Sequence, residues 1–487
     1  MSARGNAAIV TAATVIGSGL NFAATLLWTR LLEPSAFGIY ALVSAAAVLL
    51  NGMLFEWLRL VAARTLYDPA AARGIDPTRA DAVVALYAGV VALFVAAVAV
   101  LSLLDVGVAG VAARWWPVLA GFALTEMALT LLQTVQRLRM RAWGYFWNAV
   151  ARSLLALLLG VALVVGAGMG ARGALLGIVV AQGVVAAVSA LADPLWRAVR
   201  PWRAARAPVA AALRLGYPLV ASCALAYAAS FADRFLLGAT LGADAVGLYA
   251  APVDLLQKTL VFLMMTINLT GYPTLVRAYE ERGAAAARAV LQSNLELQLG
   301  LGLPAAMGLA VLAPGIVALL LGPAFRTEGA RLLPLIAAAA LLRCLVTFHL
   351  MMAFQVTRRM AWMIVPPLAT LVVLVPAGLA GARWAGLPGM ALAALAAQAA
   401  SFAAGALLAK RALPLRMVTP TTARIALAAS AMGLVLAPFR ARTDAGATIA
   451  LVAAGGALYV ALLLWLRVPA ATRTAAAMLD GVRRTRP

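Results

Sequence analysis

LLEPSAFGIYALVSA, residues 31–45, and FADRFLLGATLGADAVGLYA, residues 231–250, decide how the fold is read, because the first phrase returns inside the second. Setting Gly38 on Gly247 also matches Leu32 with Leu241, Ala36 with Ala245, Tyr40 with Tyr249 and Ala41 with Ala250, at an offset of 209 residues. Each copy sits where one long apolar stretch turns into the next. A repeat of this length implies two similar halves, and the rest of the sequence says in which solvent they fold.

The chain is 65% hydrophobic and only 11% charged over 487 residues, with a mean hydropathy of +0.97. Soluble domains carry about 25% charged residues, so this is an all-α polytopic membrane protein. Fourteen apolar stretches are long enough to cross about 30 Å of hydrocarbon at about 1.5 Å per residue. They run near 7–31, 36–58, 82–104, 115–136, 144–166, 173–192, 216–239, 245–271, 294–321, 331–355, 361–381, 386–409, 423–438 and 446–466. The first is longer than a signal-peptide core and more spans follow it, so it reads as a retained helix with nothing cleaved.

A net charge of +22 raises the possibility of nucleic acid, but nucleic-acid binders gather their basic residues on one continuous face. Here the charges sit in short loops. Alternate loops hold 27 of the 39 Lys and Arg, among them Arg59, Arg139, Arg214, Arg288, Arg358 and Arg411, against 8 in the opposite loops, such as Arg30, Arg114 and Arg383. By the positive-inside rule both termini are expected to be cytoplasmic. Six spans, an even number, separate the two repeat copies, so both enter the membrane in the same sense, which predicts parallel repeats about an axis along the membrane normal.

The expected organisation is an N-lobe over 1–192, a cytoplasmic linker over 193–215, a C-lobe over 216–412, and two further helices with a basic tail over 413–487. A second cytoplasmic segment, TLVRAYEERGAAAARAVLQSN at 274–294, reads as a short helix lying on the membrane surface. Cys223 and Cys344 fall inside spans in different halves, and His349 is the single histidine. That set offers neither a disulfide framework nor a metal site, so the thiols read as small buried side chains.

The phrases RLLEPSAFGIYALVSA and ADRFLLGATLGADAVGLYA, with the YEERGAAAARAVLQSN loop, resemble the polysaccharide-transporter, or Wzx-type, flippases of the multidrug, oligosaccharidyl-lipid and polysaccharide exporter superfamily. The resemblance covers about residues 5–412, and the last two spans match fourteen-helix members. It implies two six-helix lobes around a central cavity that opens to each side in turn. It also implies export of an undecaprenyl-diphosphate-linked oligosaccharide for cell-surface polysaccharides such as O-antigen or exopolysaccharide. Membrane lipids, and glycosyltransferases and a polymerase of the same pathway, are the expected partners; a monomer in the bacterial inner membrane is the expected form, and no enzyme activity or cofactor is expected beyond H⁺ or Na⁺ coupling.

Intramembrane charge costs about 2.5–3.5 kcal/mol per residue on insertion scales and usually marks a pathway or a partner. Arg152, Arg234, Lys258 and Arg343 are the basic residues within spans, facing Glu126, Asp233 and Asp254, with Glu56 and Glu296 near span ends. The four cations are the expected substrate-binding residues of the cavity, since guanidinium groups grip phosphate oxygens and stay charged when desolvated. Asp233 is about 100° around the helix from Arg234, so the adjacent pair is not expected to neutralise itself. Asp254 and Lys258 are four apart on one helical face, close enough to pair.

Thr14, Ser18, Asn21 and Thr25 mark one helical face of the first span, and Glu126, Thr130, Gln133 and Arg137 mark one of the fourth. Both stripes suit a lumen, or alternatively hydrogen bonds between helices worth about 0.6 kcal/mol each. Glu126 is the candidate for ion coupling. Two rival functions remain: a lipid II-type flippase, and a cation-coupled multidrug exporter, which should favour acidic cavity residues. A membrane glycosyltransferase lacks support because the outside loops are too short to carry a catalytic domain. Neither a phosphate-cradling glycine loop nor a Ser/His/Asp set is present.

Overall fold

The computed structural model describes residues 3–68, 75–108, 110–414 and 416–469. Backbone polar groups in hydrocarbon must be satisfied within each segment, and the described residues are accordingly almost all helical, with only two isolated bridges, Tyr67 to Ile75 and Val108 to Val111. The helices are α1 (Ala3–Leu31), α2 (Pro34–Leu54), α3 (Glu56–Thr65), α4 (Pro77–Leu103), α5 (Trp116–Leu138), α6 (Ala142–Val161), α7 (Gly170–Ala192), α8 (Pro194–Ala198) and α9 (Arg206–Thr240). They continue as α10 (Gly242–Leu256), α11 (Phe262–Val311), α12 (Ala313–Leu320), α13 (Arg326–Leu345), α14 (Met351–Val356), α15 (Val365–Ala412), α16 (Pro420–Leu436) and α17 (Ala445–Trp465).

Eleven described stretches are long and apolar enough to cross a membrane. Two of them are double: α11 turns at Gly283 (φ 78°) and α15 at Gly386 (φ 62°), each in a backbone region that only glycine enters freely. With the 35-residue α9 this makes a fold of about fourteen transmembrane helices, as expected. Arg73 and the basic tail from 470 onward lie outside the described residues.

The chain divides into two compact units, Met1–Gly247 and Leu248–Pro487. The seventh span, α9, counts with the first unit, where it packs on α2, α3 and α4. Its N-terminal turns extend through what the sequence suggests is linker. The remaining linker residues form α8 and a single turn at Pro201–Arg203. The second span also ends sooner than expected. At Phe55 the chain leaves α2 and starts α3, and Phe55, Trp57, Leu58 and Val61 build an apolar cluster with Ile75, Val83 and Tyr87. The Phe55 and Tyr87 rings stack with centroids 6.1 Å apart.

Segment 274–294 is not a separate surface helix. Leu275, Ala287 and Leu291 are fully buried against Val346, Leu350, Phe354 and Ala409, so the segment is the meeting ends of two membrane helices turned at Gly283. The glutamates beside the turn suggest a surface strip, but the Leu and Ala positions one helical turn further on form a core stripe.

The internal repeat has a direct structural trace inside the first unit. A Cβ on Gly38 would lie 1.8 Å from the Ala243 carbonyl oxygen, and one on Gly247 would lie 2.0 Å from that of Pro34. Ala243 is Pro34 advanced by the same 209 residues. The two glycines therefore meet through equivalent contacts, each admitting the other's backbone.

A second pair of corners shows the same relation. At the end of α5, Arg141 N–H donates to Gln136 O (2.8 Å) and Met140 N–H to Arg137 O; after α14, Arg359 N–H donates to Phe354 O (2.9 Å) and Arg358 N–H to Gln355 O. Met140 and Arg358 both have positive φ, 54° and 57°, as a Schellman-type stop requires. The offset has grown from 209 to 218, so the second copy holds nine more residues between the two points.

Candidate functional site

In the first unit the intramembrane charges are organised into a network. Arg152 on α6 places Nη1 3.2 and 3.1 Å from the two Glu126 oxygens on α5. Gln182 on α7 donates its Nε2 to Glu126 Oε2, and Thr125 Oγ1 donates to Gln182 Oε1 at 2.9 Å. Three helices are thus fastened around one carboxylate. Arg152 lacks an acidic neighbour in the sequence but has one in space, and both side chains of the pair remain about a quarter exposed, 28% and 23%. Gln182 was not singled out from the sequence; its signal was a lone amide in an otherwise apolar span.

A second ion pair joins Glu56 and Arg59 on α3. The sequence reading places Arg59 in a loop; the structure places it on α3, three residues from Glu56, where the two side chains lie on one helical face. Gln133 is buried at 8%, and Thr130 Oγ1 donates to the Met127 carbonyl. In α1, Thr25 is buried and donates to the Asn21 carbonyl at 3.1 Å, while Thr14 donates to Val10; the Asn21 side chain is exposed. Arg234 is 7% exposed with its guanidinium 5.7 Å from the Phe231 ring, and its backbone N–H donates to Asp233 Oδ1 at 2.9 Å.

At one end of this bundle Asn148 Nδ2 donates to Gln136 Oε1 (3.1 Å) and Ser189 Oγ to Asn148 Oδ1 (2.5 Å), linking α5, α6 and α7. Beside them Arg139 and Arg141 contact Asp193 Oδ2 at 2.5 and 2.9 Å. Burial acts to raise the Asp193 carboxyl, but the Leu195 N–H and the two guanidinium groups outweigh it and hold it below the usual carboxylate range. A pocket of about 490 Å³ opens here, edged by Trp143 and Trp147.

The second unit is built differently. The first unit has one π-helical turn, the apolar Ala162–Gly166 at the end of α6; here two membrane helices contain π-helical turns that carry ionisable side chains, Gln257–Val261 with Lys258 and Val346–Leu350 with His349. Arg343, just ahead of the second turn, donates to Gln257 Oε1 at the start of the first. Asp254 lies one turn before Lys258 in α10. Lys258 lines an apolar cavity of about 810 Å³ between the start and far limb of α11 and the helices α16 and α17. Its walls include Phe262, Leu301, Leu309, Leu436 and Leu463, and Tyr459 hydroxyl donates to the Gly300 carbonyl at 2.8 Å. Lys258 is its single charged lining residue among those described, and no carboxylate lines it. Both cysteines are free thiols, and no cluster of metal-binding type occurs among the described residues.

A multi-pass helical protein with two repeat-related corners, clamped charges in one unit and an apolar, lysine-edged groove in the other has the build of a membrane transporter. Residues 82–327, just over half the chain, match the polysaccharide biosynthesis protein family, and the chain belongs to it. Its fold is that of the multidrug, oligosaccharidyl-lipid and polysaccharide exporter superfamily. It is similar to the lipid II flippase MurJ in an inward closed conformation, with TM-score 0.67 and 12% identity over 94% of this chain and 98% of that one. It is also similar to an outward-facing multidrug resistance MATE transporter (TM-score 0.53, 16% identity, 84% and 96% covered). A superfamily transporter from Pyrococcus furiosus Vc1, whose binding pocket is described as reversed in polarity, gives 0.55 at 16% identity over 84% and 96%. No curated protein matches the chain.

Proposed function

We propose that the protein is a flippase that moves a polyprenyl-diphosphate-linked oligosaccharide across the bacterial inner membrane by alternating access, with both termini in the cytoplasm. The observation that carries this reading is the apolar groove with Lys258 in its wall. A polyprenyl chain is long and branched and gains about 0.8 kcal/mol for each methylene taken out of water; a diphosphate at its head seeks a cation. The groove serves the first need and Lys258 the second. Arg343, hydrogen-bonded to Gln257 beside Lys258, adds a second cation in this unit, Arg234 on α9 is a further candidate of its own, and the sugar chain travels in the aqueous path. A lipid II-type cargo has the same head and tail chemistry and differs in its sugars. A cation exporter calls for carboxylates, and the groove's described lining has none.

Proteoliposomes loaded with a fluorescent polyprenyl-diphosphate oligosaccharide provide the test. The parent protein should transfer the cargo between leaflets, Lys258→Gln should slow it, and Lys258→Glu should slow it further because repulsion replaces attraction in a poorly screened site. Gly456 lines the groove and a Cβ there meets nothing within 4 Å, so Gly456→Phe should fill the groove and slow transfer without disturbing the fold. Full transport by an Arg234→Gln, Arg343→Gln double variant would overturn the basic-site mechanism.

A further inference from the structure

His349 is fully buried, at 0% exposure, and neither ring nitrogen has a hydrogen-bond partner. A neutral imidazole always carries one N–H and one acceptor nitrogen, so the site leaves a donor and an acceptor unsatisfied at about 1–3 kcal/mol each. Native cores rarely tolerate this without a reason. The ring also sits in the π-helical turn Val346–Leu350, a helix defect found frequently at functional sites.

The neighbouring helix is shaped to this defect. Gln298, also at 0% exposure, donates Nε2 to the Phe348 carbonyl at 2.7 Å, and Asn294 Nδ2 approaches the same oxygen at 3.4 Å. The amide protons cap a carbonyl next to His349, and that orientation leaves Gln298 Oε1 buried with no donor. An orphaned acceptor thus belongs to the side chain that caps the Phe348 carbonyl, and an orphaned imidazole to the residue that follows Phe348. The helices packed against this turn carry Tyr279, Arg288 and Glu296 on α11, Arg343 and Cys344 on α13, and Lys410 and Arg411 on α15 among their titratable and charged groups, and none of them hydrogen-bonds the imidazole.

We propose that His349 is a proton-binding site of the second unit, with Gln298 Oε1 as the acceptor for the imidazolium. Imidazole is the side chain whose charge ordinarily changes between about pH 5 and 8. Taking a proton from the bulk gives the ring a second N–H, and Gln298 Oε1 receives one of the two. No carboxylate pairs with His349 among the described residues, so the protonated form favours a conformation in which the core opens to water. A ligand with different affinity for two conformations shifts the balance between them. This gives proton entry a means of driving the cycle, and in that respect the inference rests on the transport reading. Glu126, the acid suggested by the sequence, is already held by a guanidinium and an amide.

The single histidine makes the test direct. In the full-length protein in lipid nanodiscs, hydrogen–deuterium exchange at the imidazole C2 position, read by mass spectrometry from about pH 4 to 9, should give one sigmoidal titration. Its midpoint should fall in Gln298→Leu, where the imidazolium loses its acceptor. In proteoliposomes, acceleration of cargo transfer by an imposed pH gradient should drop about tenfold in His349→Gln. Absence of a titration, an unmoved midpoint in Gln298→Leu, or an intact gradient response in His349→Gln would each overturn the proposal. Failure of the parent protein to move the cargo would instead refute the flippase reading, while the titration would still decide whether His349 binds a proton.

Discussion

The two units repeat a backbone but handle polar groups in opposite ways. Equivalent corners end α5 and α14 with the same pair of backbone bonds, and the Gly38 and Gly247 contacts correspond residue for residue. In the first unit, however, charge is clamped by charge: Glu126 with Arg152, Glu56 with Arg59, Asp193 with Arg139 and Arg141. In the second, polar side chains serve backbone carbonyls opened by π-turns, as Gln298 and Asn294 do at Phe348. The lesson is that a duplicated scaffold can divide labour: both copies contain a π-turn, but one fastens its membrane helices with ion pairs and the other places Lys258 and His349 inside its π-turns.

The likeness is most easily broken at Gly38. Any side chain there must displace the Ala243 backbone, since no rotamer moves a carbonyl held in a helix. Gly38→Val should abolish accumulation of folded protein, measured by monodisperse yield after detergent extraction, and Gly247→Val should do the same. A normal yield from either would show that the two contacts are not the fixed point of the repeat.

Next in size is the clamp around Glu126. Removing one member of a buried ion pair costs about 3–5 kcal/mol, mostly from the charge left behind, whereas removing both often costs little. With both side chains about a quarter exposed, solvent screening should reduce that penalty. Arg152→Gln alone should therefore lower the melting temperature more than the Arg152→Gln, Glu126→Gln double variant. An equal loss in both would mean that the network's worth lies in Gln182 and Thr125 rather than in the pair.

This clamp also marks the limit of sequence reading. The membrane class, the span count and the repeat were legible because hydropathy and loop charge are properties of local sequence. Glu126 and Arg152 were legible as costly intramembrane charges, but not as partners, since 26 residues and a helical corner separate them. The π-turns left no trace at all: GlnLysThrLeuVal and ValThrPheHisLeu have no composition that distinguishes them from the α-helix around them. Segment 274–294 misled because its glutamates are conspicuous and its buried Leu275 and Leu291 are not.

The corner after α7 should be the third most sensitive, and its effect depends on pH. The Asp193 carboxyl is held below its ordinary range, so its stabilisation is fully present above the unfolded-state value near about 4. It is lost as pH falls through the lower folded-state value. Asp193→Asn should lower the melting temperature at neutral pH, by roughly 3 kcal/mol of stability for a pair this buried, and should flatten the acid limb of the melting curve. Retention of that limb would assign the acid sensitivity to another carboxylate, with Asp76, lowered chiefly by its Thr78 hydroxyl bond, the first to examine.

The smallest expected effect sharpens the comparison at the level of single rings. Arg359 stacks over Trp362 at 4.3 Å, and Arg137 over Tyr145 at 5.4 Å, one cation on each of the two equivalent corners. Tryptophan is the better partner, and exposed cation–π contacts contribute about 0.5–1 kcal/mol. Arg359→Gln should therefore destabilise measurably and Arg137→Gln by less, because the longer distance and smaller ring weaken the attraction. Among the described residues no carboxylate braces the second unit's Arg358 and Arg359 as Asp193 braces Arg139 and Arg141, so the ring carries more of the burden there. If Arg137→Gln proves the costlier change, the first unit's corner depends on its arginine for more than the Tyr145 face, and the division between ion-paired and neutral construction extends to the corners themselves.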